Sequence, residues 1–73
     1  MNNLRRIRRQ KEFSQYQIAF RAKISQATLS LFERHFREPD IHTKKRLAKA
    51  LHCSVVEIFP DSDSEASQRN NKS

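Results

Sequence analysis

Residues 14 to 34 read SQYQIAFRAKISQATLSLFER, and this stretch decides the fold. A serine precedes each of two runs, Ser14 before Gln15 and Ser25 before Gln26, and a serine hydroxyl accepts hydrogen bonds from the free N–H groups that begin a helix. Apolar residues recur every three or four positions within each run, which is the period of an α-helix. The stretch therefore predicts two short helices joined by a tight corner, with Ile24 packed beneath it.

The same signals continue through residues 1 to 60. Asp40 and Ser54 are two further candidate N-caps, and the apolar spacing stays helical rather than strand-like. We predict an all-α, compact domain over residues 1–60 with five helices, at about Asn3–Glu12, Gln15–Ala22, Gln26–Arg34, Ile41–Leu51 and Val55–Phe59. Residues 61–73 read DSDSEASQRNNKS, and we expect them to form a flexible polar tail because they offer almost nothing apolar to bury.

Composition limits what such a chain can do. With 73 residues, 36 % of them hydrophobic, it can enclose one small core, which leaves little room for a catalytic pocket. There are 15 Lys and Arg residues against 8 Asp and Glu, and residues 1–60 hold thirteen of those bases and five of the acids. So basic a domain attracts polyanions, which favours nucleic acid or an anionic membrane surface as partner, with surplus charge for solubility as the alternative.

Several function classes lack support in the sequence. The one cysteine, Cys53, cannot form an internal disulfide, which fits a reducing cytoplasm, and no apolar run approaches a signal peptide or a membrane span. The histidines at 35, 42 and 52 have spacings that suit no ligand set, so we expect no metal and no cofactor. Nothing arranges a nucleophile, a base and an oxyanion donor, so we expect neither an enzyme nor a small-molecule substrate.

The outer face of the second predicted helix is polar, short and uncharged, which suits the major groove of DNA. Gln can form two hydrogen bonds to an adenine edge, Thr and Ser can meet base edges or phosphates, and Ala or Leu can touch a thymine methyl. We therefore predict five base-contacting residues: Gln26, Ala27, Thr28, Ser30 and Leu31.

Residues around this face are predicted to contact the DNA backbone. Gln15 begins its helix, where free N–H groups and the positive end of the dipole favour a phosphate. Arg34 and Arg37 follow the second helix, where backbone contacts would fix the register of docking. The full predicted set is Gln15, Tyr16, Ser25, Arg34, Arg37, Thr43 and Lys44.

Taken together, residues 4 to 60 resemble the helix-turn-helix domains of the XRE family, which includes phage lambda repressor-like (Cro-type) DNA-binding domains. The matching features are Gln15 with Ala19, the Ile24–Ser25 corner, Thr28 to Ser30, Phe32 with Glu33, Pro39, Leu47 to Leu51, and Glu57 to Phe59. The resemblance implies that Gln15 supports Gln26, and that Arg8 and Glu33 form an ion pair which fastens the first helix to the recognition helix.

This chain departs from the family pattern by having no glycine. Family members usually place glycine after the first helix of the motif, after the recognition helix and before the last helix, where this chain has Lys23, His35 and His52. A non-glycine residue with positive φ costs on the order of 1 kcal/mol, so we expect the tight corner to form at some loss of stability.

The sequence predicts a regulator that binds double-stranded DNA in a sequence-specific way, most simply a repressor. A single recognition helix contacts few base pairs, so we expect a homodimer on an inverted repeat. The predicted dimer interface is Val55, Val56, Ile58 and Phe59, with Val56 foremost because the other three can share an inward face. Two alternatives stay open: a DNA-binding antitoxin or controller of a neighbouring gene, and a protein- or membrane-surface module built on the arginine-rich residues 4–11.

Overall fold

A computed structural model describes residues 2–61, which form five helices and no strand. The helices are α1 (Leu4–Gln10), α2 (Gln15–Ala22), α3 (Gln26–Glu33), α4 (Ile41–Ala50) and α5 (Val55–Ile58). The predicted all-α fold is confirmed, and none of the helices within this range is long and apolar enough to cross a membrane. All of the predicted tail except Asp61 lies outside the described residues.

Helix starts follow the predicted caps. The side chains of Ser14, Ser25, Asp40 and Ser54 each accept a hydrogen bond from the backbone N–H three residues on. Ser14 and Ser54 form complete capping boxes with the side chains of Gln17 and Glu57. The hydrogen bond from the Thr43 N–H lowers the pKa of the Asp40 carboxyl, since it stabilises the ionised acceptor.

Helix ends are less regular in sequence but alike in geometry. Left-handed backbone follows four of the helices, at Glu12, Lys23, His35 and His52, with φ values of 63°, 62°, 65° and 57°. At the corner after α2, the Lys23 N–H donates to the Phe20 carbonyl (3.2 Å) and the Ile24 N–H to the Ala19 carbonyl (3.0 Å). The same pair of bonds recurs at the other three sites, so each of these four helices ends in a Schellman motif.

The first of these left-handed positions corrects the predicted length of the first helix. α1 ends at Gln10 and not at Glu12, because Glu12 turns the chain so that Phe13 packs against the core. Three connections then share one plan, a left-handed residue, an apolar residue and a capping serine: residues 12–14, 23–25 and 52–54. The apolar residue at the α2–α3 corner is Ile24, which is half-buried against the core as predicted.

The core is drawn from all five helices. Its buried apolar members include Leu4 of α1, Ile18 of α2, Leu29 of α3, Leu47 of α4 and Ile58 of α5. α2 packs against α3 and α4, while α1 packs on α3 and α5 on α4. This arrangement buries one side of α3 and leaves the opposite side partly exposed, with Ala27 exposed and its neighbours on that side half-buried.

α5 closes the core and changes the predicted dimer interface. Ile58 is 0 % exposed and Phe59 is 2 % exposed, so both fill the core, which is the inward-facing alternative noted from the sequence, and neither is accessible to a partner in this fold. Val55 is partly buried against the same core, whereas Val56 remains 41 % exposed. The difference follows from helical spacing, since positions 55, 58 and 59 share the inward face of α5 and position 56 lies on another face. The Asn3 N–H also donates to the Ile58 carbonyl (2.8 Å), which joins the start of α1 to α5.

An ion pair joins α1 to α3. Arg8 Nε lies 2.6 Å from Glu33 Oε2, and Arg8 Nη2 lies 3.2 Å from Glu33 Oε1, which is a two-pronged contact. Arg8 Nη1 also donates to the Phe13 carbonyl at 2.8 Å. Both side chains are largely shielded from water, so each charge depends on the other for compensation.

Replacing Lys23 by Gly should stabilise the fold by about 0.5–1 kcal/mol, because glycine adopts positive φ without a Cβ clash. Urea unfolding followed by circular dichroism measures this change. The matched control is Arg6→Gly within α1, which should destabilise by about 1 kcal/mol. A Lys23→Gly variant that is less stable than the wild type would contradict the assignment of strain to this corner.

Replacing Arg8 by Met should lower the free energy of unfolding by about 3 kcal/mol, because the Glu33 carboxylate is left buried without its countercharge. The double variant Arg8→Met/Glu33→Met should recover most of that loss, since no uncompensated charge remains. Arg9→Met, an exposed neighbour on α1, is the control and should change stability by less than about 0.5 kcal/mol. A double variant no more stable than Arg8→Met would show that the pair is not coupled.

Candidate nucleic-acid interface

The solvent side of α3 forms one wall of a shallow groove of about 440 Å³. The groove is lined by Gln15, Gln26, Ala27, Ser30, Leu31 and Arg34. Four of the five predicted base-contacting residues therefore share one surface, and we call Gln26, Ala27, Ser30 and Leu31 the reading face. This surface combines an amide, a hydroxyl and two apolar groups, which is the chemistry that distinguishes base edges in a major groove.

Thr28, the fifth predicted base contact, is separate from this surface. Its N–H donates to Ser25 Oγ (3.0 Å), and its own hydroxyl oxygen accepts from Ser25 Oγ at 2.9 Å. Thr28 is therefore engaged in the cap at the start of α3 and does not line the groove of the reading face. Its hydroxyl hydrogen is still able to donate to a phosphate or a base edge.

A chain of hydrogen bonds leads from the ion pair to the reading face. Gln15 Nε2 donates to Glu33 Oε1 at 3.0 Å, and Gln26 Nε2 donates to Gln15 Oε1 at 3.1 Å. Glu33 is thus bonded to both Arg8 and Gln15. The support of Gln26 by Gln15 that the family resemblance implied is present in the structure.

Most of the predicted backbone contacts surround the reading face. Gln15 opens α2, and Tyr16 beside it is 71 % exposed. Arg34 lines the groove itself and stacks over the Phe36 ring, with its guanidinium carbon 5.2 Å from the ring centroid. Arg37 is exposed in the loop before α4.

The start of α4 differs from the prediction. Lys44 is only 5 % exposed, with its Nζ 2.7 Å from Glu38 Oε2 and 5.3 Å from the centre of the Phe59 ring. The ammonium group is therefore shielded by the Phe59 ring and paired with the exposed Glu38 carboxylate, which makes Lys44 a weaker candidate for a phosphate contact than the sequence suggested. Thr43 is half-buried, and its N–H donates to Asp40 Oδ1 at 2.8 Å.

Two residues at this surface were missed by sequence reasoning. Arg5 and Arg9 of α1 line a second groove that also contains Gln15, Tyr16 and Gln26. The available signal was their spacing, because Arg5, Arg8 and Arg9 stand at positions i, i+3 and i+4 and so share one helix face. The position of that face relative to α3 depends on the packing of α1, which the sequence does not specify.

No metal chemistry competes for this surface within residues 2–61, where no three His, Cys, Asp or Glu side chains are grouped so as to hold an ion. Cys53 lies half-buried in the connection between α4 and α5, and this burial raises the pKa of its thiol. The groups on the reading face are therefore neutral hydrogen-bonding and apolar groups with guanidinium groups at the edge.

Comparisons with known proteins agree with this geometry. The helix-turn-helix family model matches residues 4–58, which span all five helices. The chain is also 39 % identical over 62 residues to an uncharacterised HTH-type transcriptional regulator, y4dJ, of Sinorhizobium fredii, with 85 % of this chain and 80 % of the relative covered. The chain thus belongs to the XRE-type helix-turn-helix family and is a DNA-binding transcriptional regulator rather than an enzyme.

Proposed function

We propose that this protein is a sequence-specific repressor that occupies an inverted-repeat operator in double-stranded DNA as a homodimer. The observation that carries the proposal is the hydrogen bond from Gln26 to Gln15 at the edge of the reading face. It holds one N–H of the Gln26 amide and leaves the other N–H and the amide oxygen for a base. Those two groups are what a glutamine needs for two hydrogen bonds to an adenine edge.

The remainder of the reading face supplies the other elements of discrimination. Ser30 can donate to or accept from a base edge, while Ala27 and Leu31 offer apolar contact to a thymine methyl. Since α3 exposes this side and buries Leu29 and Phe32 on the other, the helix can enter a major groove without disturbing the core. The proposed base contacts are thus Gln26, Ala27, Ser30 and Leu31, with Thr28 nearer the edge.

Contacts to phosphates would fix the register of docking. Gln15 and Tyr16 flank the reading face on one side, and Arg34 and Arg37 lie beyond the end of α3 on the other. Ser25 and Thr43 are weaker members of this set because their polar atoms already serve helix caps. Arg34 and Arg37 supply positive charge without sequence preference, which is the role of backbone contacts.

A dimer follows from the small number of base pairs that one helix can read. Two-fold symmetry would set the two reading faces about 34 Å apart, one turn of the duplex. Val56 is the apolar residue of α5 that stays at the surface, and we propose it as the centre of the contact between subunits. An operator occupied in this way blocks transcription wherever it overlaps a promoter, so repression requires no additional surface.

Random-site selection followed by footprinting tests the proposal directly. We expect an enriched sequence with two-fold symmetry and a protected region on one face of the duplex, spaced by one helical turn. Selection that yields no enriched sequence would overturn sequence-specific binding, and an enriched sequence without symmetry would overturn the dimer alone.

Replacing Gln26 by Ala should weaken binding to the selected operator by about 1–3 kcal/mol, or roughly 5- to 150-fold, and leave binding to a scrambled duplex nearly unchanged. Arg37→Ala should weaken binding to both duplexes and reduce the slope of log K against log salt by about 1. Fluorescence anisotropy across a salt series measures both effects. Equal losses on both duplexes for both variants would contradict this division between base and backbone contacts.

Replacing Val56 by Asp should lower the ratio of full-site to half-site affinity at least tenfold, because a charge in an apolar contact is costly to desolvate. Ile41→Asp is the matched control, since Ile41 is exposed to a similar degree (38 %) and the same charge is introduced. Electrophoretic mobility shifts on the intact operator and on one half-site measure the ratio. An unchanged ratio in Val56→Asp would place the subunit contact elsewhere.

A further inference from the structure

A cationic groove of about 490 Å³ extends the interface away from the reading face and along α1. α1 contributes Arg5, Arg8 and Arg9 to its lining, and the opposite side includes Gln15 and Tyr16. The groove also includes Gln26, so it is continuous with the surface proposed to read base edges. The arginines that α1 contributes have no role in the contacts proposed so far.

The charge in this groove is unbalanced. Glu33 is the one acidic residue that lines it, and the Glu33 carboxylate already binds Arg8 and Gln15. The Arg5 and Arg9 side chains are exposed, and neither guanidinium group makes a hydrogen bond or an ion pair with another residue within 2–61. Two guanidinium groups are therefore available to an anion from outside, and each can bind a phosphate in two-pronged fashion.

The arrangement of the positively charged side chains along α1 favours an extended anion. Arg5 and Arg9 are four residues apart on α1, so their side chains stand one above the other along the helix. A neighbouring groove of about 950 Å³ contains both residues again, shares Arg34 with the first groove and adds Arg6. The positive charge thus follows a line from the reading face along α1, which matches the regular row of phosphates on a nucleic-acid strand better than one small anion.

An anionic membrane is the other extended polyanion, and α1 is poorly suited to it. A helix that lies in a membrane surface inserts an apolar face. The apolar residues of α1 are Leu4 and Ile7, and both are buried in the core. α1 therefore presents charge without an apolar anchor.

We infer that Arg5 and Arg9 bind the phosphate strand that leaves the reading face, and that α1 is a second backbone-binding element of this regulator. The inference rests on the proposed function, because the strand is that of the duplex held by α3. The two arginines contact phosphates only, so they add affinity and salt dependence and leave the choice of sequence to the reading face.

The test compares three proteins on two duplexes, the selected operator and a scrambled sequence of the same length, over a salt series from about 50 to 200 mM. They are the wild type, Arg5→Gln/Arg9→Gln, and the control Lys23→Gln/Lys49→Gln. The control removes the same charge from exposed lysines in a different groove, between the C-terminal ends of α2 and α4. Glutamine preserves helix propensity on α1, and thermal unfolding checks that each variant is folded.

We expect the slope of log K against log salt to fall by about 2 for Arg5→Gln/Arg9→Gln on both duplexes, and by less than about 0.5 for the control. The ratio of operator to scrambled affinity should stay within twofold of the wild type in both variants. Equal slope changes in the two variants would overturn the inference, because net charge and not position would then be responsible.

Two further outcomes separate the inference from the proposal beneath it. A wild type with no preference between operator and scrambled duplex would overturn the proposed function, whatever the slopes. A wild type that prefers its operator, with an unchanged slope in Arg5→Gln/Arg9→Gln, would overturn the inference alone. If, in addition, the wild type binds phosphatidylserine vesicles and Arg5→Gln/Arg9→Gln does not, the inference is overturned in favour of a lipid-binding surface on α1.

Discussion

The buried carboxylate of Glu33 determines how the surface of this protein is organised. A buried charge is tolerated only when it is paired and hydrogen-bonded, and Arg8 and Gln15 together meet that requirement. An ionised carboxylate can only accept, so Gln15 must turn its NH₂ group towards Glu33 and its oxygen towards Gln26. Gln26 in turn must present an N–H to that oxygen. The orientation of the amide proposed to read a base is thus set by a charge near the core.

The absence of glycine shows that helix ends can be built from local strain and apolar packing. Each of four left-handed residues carries a Cβ, and each costs on the order of 1 kcal/mol. In three of the four cases the apolar residue that follows offsets this cost by packing against the core: Phe13, Ile24 and Cys53. A serine then begins the following helix. Short connections of this kind leave α2 and α3 little freedom to change their mutual angle.

The basic residues of this chain differ in role, since some stabilise the fold and others keep an exposed charge. Lys44 is directed inward, and Arg46 Nε donates to the Ala22 carbonyl at 2.8 Å, where it satisfies the C-terminal end of α2. Arg21 lies over the Phe13 ring at 4.7 Å. Such residues contribute to the positive field, yet their side chains stabilise the fold. Other bases, among them those exposed on α1 and after α3, keep their charge at the surface near the reading face.

The sequence by itself determined the five helices, the starts of four of them and which helix we propose to read DNA, α3. Capping and helical periodicity depend on residues no more than four positions apart, so Ser25 or Asp40 specifies a helix start wherever the chain later packs. Tertiary structure alone decided that Lys44 lies buried near Phe59 and that Arg5 and Arg9 border the same groove as α3. Those outcomes depend on contacts between residues far apart in the chain, because burial is a property of the packed helices and not of any one segment.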